Sequence, residues 1–273
     1  SSDLIAAKLI SYICGNFIES IDSSNLETGI WNGYVHLNNL IISENALINQ
    51  QLPFKIKQGT LGSLSLSLPW MKLNSEPCNI EISDIFIILE VCGSVLVSID
   101  LQSVPEIEIN SDDSNKKQNS SSLLNGLMLK IIDNLNVTIK NIHIRLEAES
   151  SESSCVAFGV TIPLIEGYTI DDNGNHIFLN EHKSILKKKL TIKDFAIYID
   201  TDVVEIEKNA FNERMMNDIN GEHQYLLKPF TFDGILTHCD DGTTEFKNDL
   251  DIVTTSLNLG IDIFQYRDRK SVV

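Results

Sequence analysis

The sequence predicts a mainly β protein with a few helices, built on a strongly curved antiparallel sheet, and three observations carry that expectation. The first is the stretch from Leu135 to Glu147. Leu135, Val137 and Ile139 alternate with polar residues, one place is skipped, and Ile142, Ile144 and Leu146 resume the alternation. Period-2 alternation puts a row of side chains on one face of a strand. An extra residue at Lys140-Asn141 then reads as a bulge that bends the strand and keeps the apolar row on the same side.

The second observation is that this pattern is written four times. Val35-His-Leu-Asn-Asn-Leu-Ile-Ile42, Ile80-Glu-Ile-Ser-Asp-Ile-Phe-Ile87, Val137-Thr-Ile-Lys-Asn-Ile-His-Ile144 and Leu190-Thr-Ile-Lys-Asp-Phe-Ala-Ile197 all place Asn or Asp at the fifth position. Short Asx side chains tolerate bulge and turn geometry better than other residues. The third is that every copy is apolar on one side only, so the repeated unit leaves one greasy face to be covered.

Taken in order, Asp3 to Gly15 reads as a helix, with Asp3 as N-cap and Gly15 as its end. Leu4, Ile5, Leu9, Ile10, Tyr12 and Ile13 make it apolar nearly all round, so protein or lipid must cover it. Leu26–Trp31 and Tyr34–Ile42 flank Asn32-Gly33, a two-residue hairpin signal. Asn45–Gln51 is a short helical connector. Phe54–Lys57 and Leu61–Leu68 form a strand interrupted at Gly59, and Ile80–Val91 carries the second copy of the repeat. Ser103–Ser122 turns polar and aperiodic, the composition of a disordered linker. Leu123–Leu135 is a helix leading into the third copy. Val156–Thr169, Ile177–Leu179 and Leu186–Ile199 continue the sheet, Val204–Glu222 is a polar helix or loop, and Tyr225–Thr237 and Ile252–Phe264 finish it. The division is therefore 1–102, a first β unit with its N-terminal helix; 103–122, a linker; and 123–273, a helix with further β units. An uncovered last strand is an aggregation hazard, so the natural chain is expected to continue past 273.

Composition excludes several functions. A formal net charge of −17 over 273 residues argues against nucleic-acid binding, which needs clustered positive charge. Cys14, Cys78, Cys92, Cys155 and Cys239 are scattered and hold no C-x-x-C pair, so they indicate neither a disulfide framework nor a zinc site. No catalytic constellation assembles: there is no G-x-S-x-G elbow, Walker loop or dinucleotide fingerprint. His36 and His143 fall on outward positions of repeat copies, as polar surface residues. His176 and His182 lie near Asp171, Asp172 and Glu181 without metal-ligand spacing. Asp171-Asp-Asn-Gly-Asn reads as a hairpin turn, and Lys187-Lys-Lys189 as a solvated strand start. No metal, cofactor or enzymatic activity is expected.

Several runs resemble the N-terminal chorein region of the vacuolar protein sorting-associated protein 13 family. They are Gly15-Asn-Phe-Ile-Glu-Ser-Ile-Asp22, Leu26-Glu-Thr-Gly-Ile-Trp-Asn-Gly33, Leu52-Pro-Phe-Lys-Ile-Lys-Gln-Gly59, Ile131 to Arg145, Ala157-Phe-Gly-Val-Thr161, Tyr198-Ile-Asp-Thr201 and Gln265-Tyr-Arg-Asp268. The resemblance implies an open apolar gutter, a repeating β-groove capped by the N-terminal helix. It implies non-vesicular transfer of glycerophospholipids between organelle membranes at contact sites, in the cytoplasm and peripheral to the membrane. The endoplasmic reticulum is the implied donor membrane at the N-terminal end, with a lipid scramblase as partner.

Joined to the alternation, the resemblance marks Ile80, Ile82, Ile85, Ile87, Leu89, Val137, Ile139, Ile142, Ile144, Leu146, Leu190, Ile192, Phe195, Ile197, Ile199, Leu257, Leu259, Ile261 and Ile263 as the lipid-binding floor. Leu4, Ile5, Leu9, Tyr12 and Ile13 are the membrane-facing side of the first helix. A reading from another class stays open beside it: a structural tether or adaptor with a closed β core and no lipid channel.

Overall fold

The computed structural model of the chain describes residues 15, 17–19, 26–27, 33–50, 52–91, 118–149, 155–203, 206, 208–219, 221–239 and 248–254. The expected helix with Leu4, Ile5, Leu9, Tyr12 and Ile13, the linker up to residue 117, and Leu257, Leu259, Ile261 and Ile263 lie outside the described residues. The strands are β1 (Leu26–Glu27), β2 (Tyr34–Ile41), β3 (Phe54–Ser67), β4 (Cys78–Val91), β5 (Leu135–Glu149), β6 (Cys155–Ile170), β7 (Ile185–Val203), β8 (Tyr225–Cys239) and β9 (Asn248–Thr254). They form one sheet in sequence order, with β1 and β9 at its two ends, so the sheet is not closed.

The sheet is mixed rather than antiparallel throughout, because β4 and β5 run parallel while all other neighbours are antiparallel. Alternation is the same for either direction, so the pattern alone cannot reveal the reversal. A parallel pair needs a crossover, not a tight turn. Here the crossover carries the Ser103–Ser122 tract and ends in helix α1 (Gln118–Asp133), which begins before the expected Leu123.

The four repeated Asx positions are where the backbone bends. Asn39, Asp84, Asn141 and Asp194 have φ of 53°, 61°, 56° and 53°, and they are the non-glycine residues with positive φ among the described residues. Pairing skips them: Ser83 faces Lys140 and Ile85 faces Ile142, so the bends of β4 and β5 coincide and the register is kept. Asn141 donates from Nδ2 to Asp84 Oδ1 at 2.8 Å. On β3, Gly62 meets the same line, where an added Cβ would fall 2.7 Å from that of Asp84. On β6 the position belongs to Pro163, between Ile162 opposite Ile142 and Leu164 opposite Lys140. Proline lacks the ladder donor and is accepted where a bulge removes the ladder bond anyway.

Other expectations need correction. β3 runs unbroken through Gly59, whose missing side chain makes room for Ile42, since a Cβ there would lie 2.9 Å from Ile42 Cβ. Glu27 faces His36, whereas a two-residue turn at Asn32-Gly33 would set it opposite Asn38. Ile177–Leu179 is not a strand. It belongs to the connection from β6 to β7, where Asn134 clasps Leu179 by accepting its N–H at 2.7 Å and donating to its carbonyl at 3.0 Å. The turn at Asp171 forms as expected, its carboxylate accepting from the N–H groups of Asn173 and Asn175 at 2.9 and 2.8 Å. Finally, the polar stretch after β7 contains an amphipathic helix, α2 (Phe211–Ile219), which buries Phe211, Met215 and Ile219 at i, i+4 and i+8.

Two cores result. One lies on the apolar face of β2, β3 and β4, closed by Ile131, Met128 and Leu135 and by Ala46, Leu47 and Leu73 from the 3₁₀ turns Glu44–Gln50 and Trp70–Lys72 and their flanks. The other lies on the opposite face, where Phe86 and Ile88 meet Ile206 and the three buried residues of α2.

Candidate functional site

Because the bends coincide, the apolar residues of successive strands line up into rungs that cross the sheet. One rung runs Leu66, Ile80 and Val137 and, beyond Gly167, Leu190. The next runs Leu37, Leu64, Ile82, Ile139, Ile165, Ile192 and Phe232. Past the bend another runs Leu61, Ile85, Ile142 and Ile162, and after it Ile87, Ile144, Val160, Ile197 and Leu227. Leu89, Leu146, Phe158 and Ile199 form the outermost, and Phe195 pairs with Phe230 at the bend of β7. The expected floor residues on β4, β5 and β7, from Ile80 to Ile199, are thus brought together.

Burial changes along the rungs. Leu37, Leu64 and Leu66 are 0% exposed, and Ile80 is also buried. From β5 onward Val137, Ile139, Ile142, Ile144, Leu146, Leu190, Ile192, Phe195, Ile197 and Ile199 line the same rungs, and Phe158 is 39% exposed. Of these, Val137, Ile139, Ile142, Leu190 and Ile192 are half-buried. The sequence-based floor omits the rung members on β6 and β8, Phe158, Val160, Ile162, Ile165, Leu227, Phe230 and Phe232. Their alternation is readable, but those strands lack the Asx marker, with Pro163 standing in for it on β6.

The opposite face holds a polar mesh beneath α2, and here His143 departs from expectation. It is fully buried, not a surface residue, because α2 covers the outward positions of β5. The Met215 carbonyl accepts from His143 Nδ1 at 3.0 Å, and with the ring held neutral by its burial Nε2 accepts from the Tyr198 hydroxyl at 2.7 Å. Burial pushes its pKa down to about 4. Tyr198 lies over Gly159, where an added Cβ would sit 2.0 Å from Tyr198 Cζ. Stacked on Tyr198 at 3.8 Å is His223, whose two ring nitrogens face the Asp200 carboxylate at 2.7 Å and the Asp218 carbonyl at 2.5 Å. Two acceptors demand two donors, so this ring is an imidazolium. Burial opposes the charge, but those two partners outweigh it and raise its pKa above the ordinary value. Arg145, also buried, donates to Glu147 at 3.1 Å and Asp218 at 3.3 Å.

The remaining polar candidates are engaged in structure. His36 lies 2.7 Å from the Ser65 hydroxyl, and His182 2.7 Å from the Asp133 carboxylate. Lys187 pairs with Asp172 at 2.7 Å and Lys189 with Asp233 at 3.7 Å. Lys188 is not solvated. It donates to Thr169 Oγ1 at 2.9 Å and to the carbonyls of Leu135 and Asp133 at 3.3 and 3.4 Å, where burial lowers its pKa to about 8. Among the described residues no group of three His, Cys, Asp or Glu could hold a metal ion, and no helix is long and apolar enough to cross a membrane.

Fold and surface together define a class of protein: an unclosed sheet of repeated strands with a broad apolar face. No protein-family model matches the chain. It is nevertheless similar along almost its whole length to the VPS13 proteins, as a chorein-type N-terminal region of that family would be. It is 26% identical over 307 residues to intermembrane lipid transfer protein VPS13 of Chaetomium thermophilum, covering 98% of this chain and 10% of that protein. Identity to intermembrane lipid transfer protein VPS13A of Mus musculus is 24% over 278 residues, covering 95% of this chain and 9% of that protein. For intermembrane lipid transfer protein vps13A of Dictyostelium discoideum it is 28% over 232 residues, covering 77% and 7%. The chain thus spans a tenth or less of the length of these relatives.

Proposed function

We propose that this chain takes part in non-vesicular transfer of glycerophospholipids between organelle membranes at contact sites, as a conduit and not as an enzyme. Acyl chains lie on the apolar rungs while headgroups stay in water. The donor membrane is the endoplasmic reticulum, met at the N-terminal end with a scramblase as partner, and the protein is cytoplasmic and peripheral to the membranes it serves. The observation that carries this reading is the run of incompletely buried rungs from β5 to β8, an apolar surface that the described residues leave uncovered on an unclosed sheet. The names of the relatives support it, since each is an intermembrane lipid transfer protein.

Magnitude favours a surface that never releases the tail. Each CH₂ moved from water to an apolar site gains about 0.8 kcal/mol, so exposing a chain of about sixteen carbons costs on the order of 12 kcal/mol. A floor that keeps the tail dry removes most of that barrier, and direction must come from a concentration difference or a partner. Replacing Ile139, Ile144 and Ile197 together with Asp should abolish fluorescent-lipid transfer between liposomes while the far-ultraviolet circular dichroism stays unchanged. Undiminished transfer by a folded variant would refute the floor. The buried rungs of β2 and β3 favour the tether reading locally, and phospholipid co-purifying with the chain in native mass spectrometry separates the two.

A further inference from the structure

We propose that the tail-bearing floor begins at β4, whose Ile82, Ile85, Ile87 and Leu89 are half-buried like the rungs of β5, the rungs of β2 and β3 being a sealed plug that no lipid enters. This rests on the conduit reading above and assigns where along the sheet the cargo can lie. The rungs are chemically alike on both sides of this boundary, Leu37 and Leu64 continuing into Ile82, Ile139 and Ile192, so sequence gives no reason for a boundary. Cover does. Val35, Leu37, Leu40, Leu64, Leu66 and Leu68 are at most 1% exposed, packed beneath Ile131 of α1 and the flanking 3₁₀ turns. A side chain with no accessible surface already has protein atoms where a methylene would go, and opening that packing would leave a cavity lined by large apolar residues.

The boundary is drawn by α1 itself. It ends at Asp133, and after Asn134 the chain enters β5, so the helix that closes the plug with Ile131 and Met128 leads directly into the floor. The parallel pairing of β4 and β5 calls for a crossover, and this helix is its last part. Leu129 and Ile132, 44% and 45% exposed, share another side of the helix that the described residues leave open. Three contacts fix the helix end in place: the Asn134 clasp on Leu179, Lys188 on the Asp133 and Leu135 carbonyls, and Thr169 donating to the Asp133 carbonyl at 2.5 Å.

The test maps contact with the lipid tail on the unmodified chain. Liposomes containing a phosphatidylcholine with a diazirine near the end of one acyl chain are incubated with the protein and irradiated, and adducts are located by peptide mass spectrometry. Adducts are expected on Ile82–Leu89, Val137–Leu146 and Leu190–Ile199, with Leu61–Leu68 at the level of the unirradiated control. Comparable labelling of Leu61–Leu68, or labelling there alone, overturns the plug and leaves the conduit standing. Adducts on none of these segments overturn the conduit, and the plug with it.

Discussion

Asn141 shows how one residue shapes the sheet. Its φ of 56° is a conformation that costs most side chains about 1 kcal/mol or more, which asparagine reduces and glycine avoids. Asn141→Ala should therefore lower stability in urea by about 1–3 kcal/mol, since it adds the strain and leaves Asp84 without its 2.8 Å donor. Asn141→Gly should lose only the second part, and equal losses in the two variants would show that backbone strain is not the cause. His143 makes a prediction of the opposite legibility. Its folded pKa of about 4 against an ordinary 6.5 means the unfolded chain binds the extra proton first. The contribution is complete above pH 6.5 and declines by about 3 kcal/mol as pH falls from there to about 4. His223 runs the other way, its raised pKa giving stability that is full below 6.5 and lost as pH climbs through the folded value. Urea midpoints should peak between the two limbs, with His143→Gln losing the acid limb only; an unchanged acid limb in that variant would exclude His143 as its source. The Asx bends are readable in the sequence because the conformation restricts which residues can occupy it. The burial of His143 is not, because alternation tells which face a residue takes and nothing about what lies over that face.

At the level of elements, the same limit explains α2 and the parallel pair. Helix α2 has nine residues, of which Asn212, Glu213, Arg214, Asn217 and Asp218 are polar, and its buried apolar content is a thin line at i, i+4 and i+8. So short a helix is marginal by itself and forms because the sheet supplies the other half of its core. Met215, fully buried in one cluster with Phe86 and Ile88 of the sheet, is the central contact. Met215→Ala should cost about 2–5 kcal/mol in urea unfolding, and hydrogen exchange should rise first in Phe211–Ile219 and not in β2 and β3. Uniform loss of protection would mean that α2 and the sheet unfold as one unit. The strands, by contrast, are visible in the sequence almost to their ends, since their 14 to 19 residues repeat the alternation many times in β3, β4, β5, β6, β7 and β8. Strand direction depends on the connection, and the connection between β4 and β5 runs through the tract that has no pattern.

For the whole molecule, the sequence reveals one continuous apolar face and not its division, because a plug and a floor can be made of the same isoleucines and leucines and differ only in what covers them. Charge acts on the same large scale. The chain carries −17 formal charges, and the described ion pairs at its surface, such as Lys193–Glu166 and Lys189–Asp233, neutralise their lysines locally. It should therefore approach an anionic bilayer against repulsion, which reaches about 30 Å at 0.01 M salt and about 8 Å at 0.15 M. On the proposed conduit reading the apolar face then governs the uptake of a tail, and its attraction for that tail weakens little with salt in this range. Lipid transfer from phosphatidylserine-containing liposomes should accordingly speed up as salt rises from the lower to the higher of these values. Transfer from purely zwitterionic liposomes should change little. The reverse dependence, faster transfer at low salt, would mean that a local cluster of lysines and not the overall charge governs the encounter, and the membrane-facing part of the chain would then have to be sought among its basic residues.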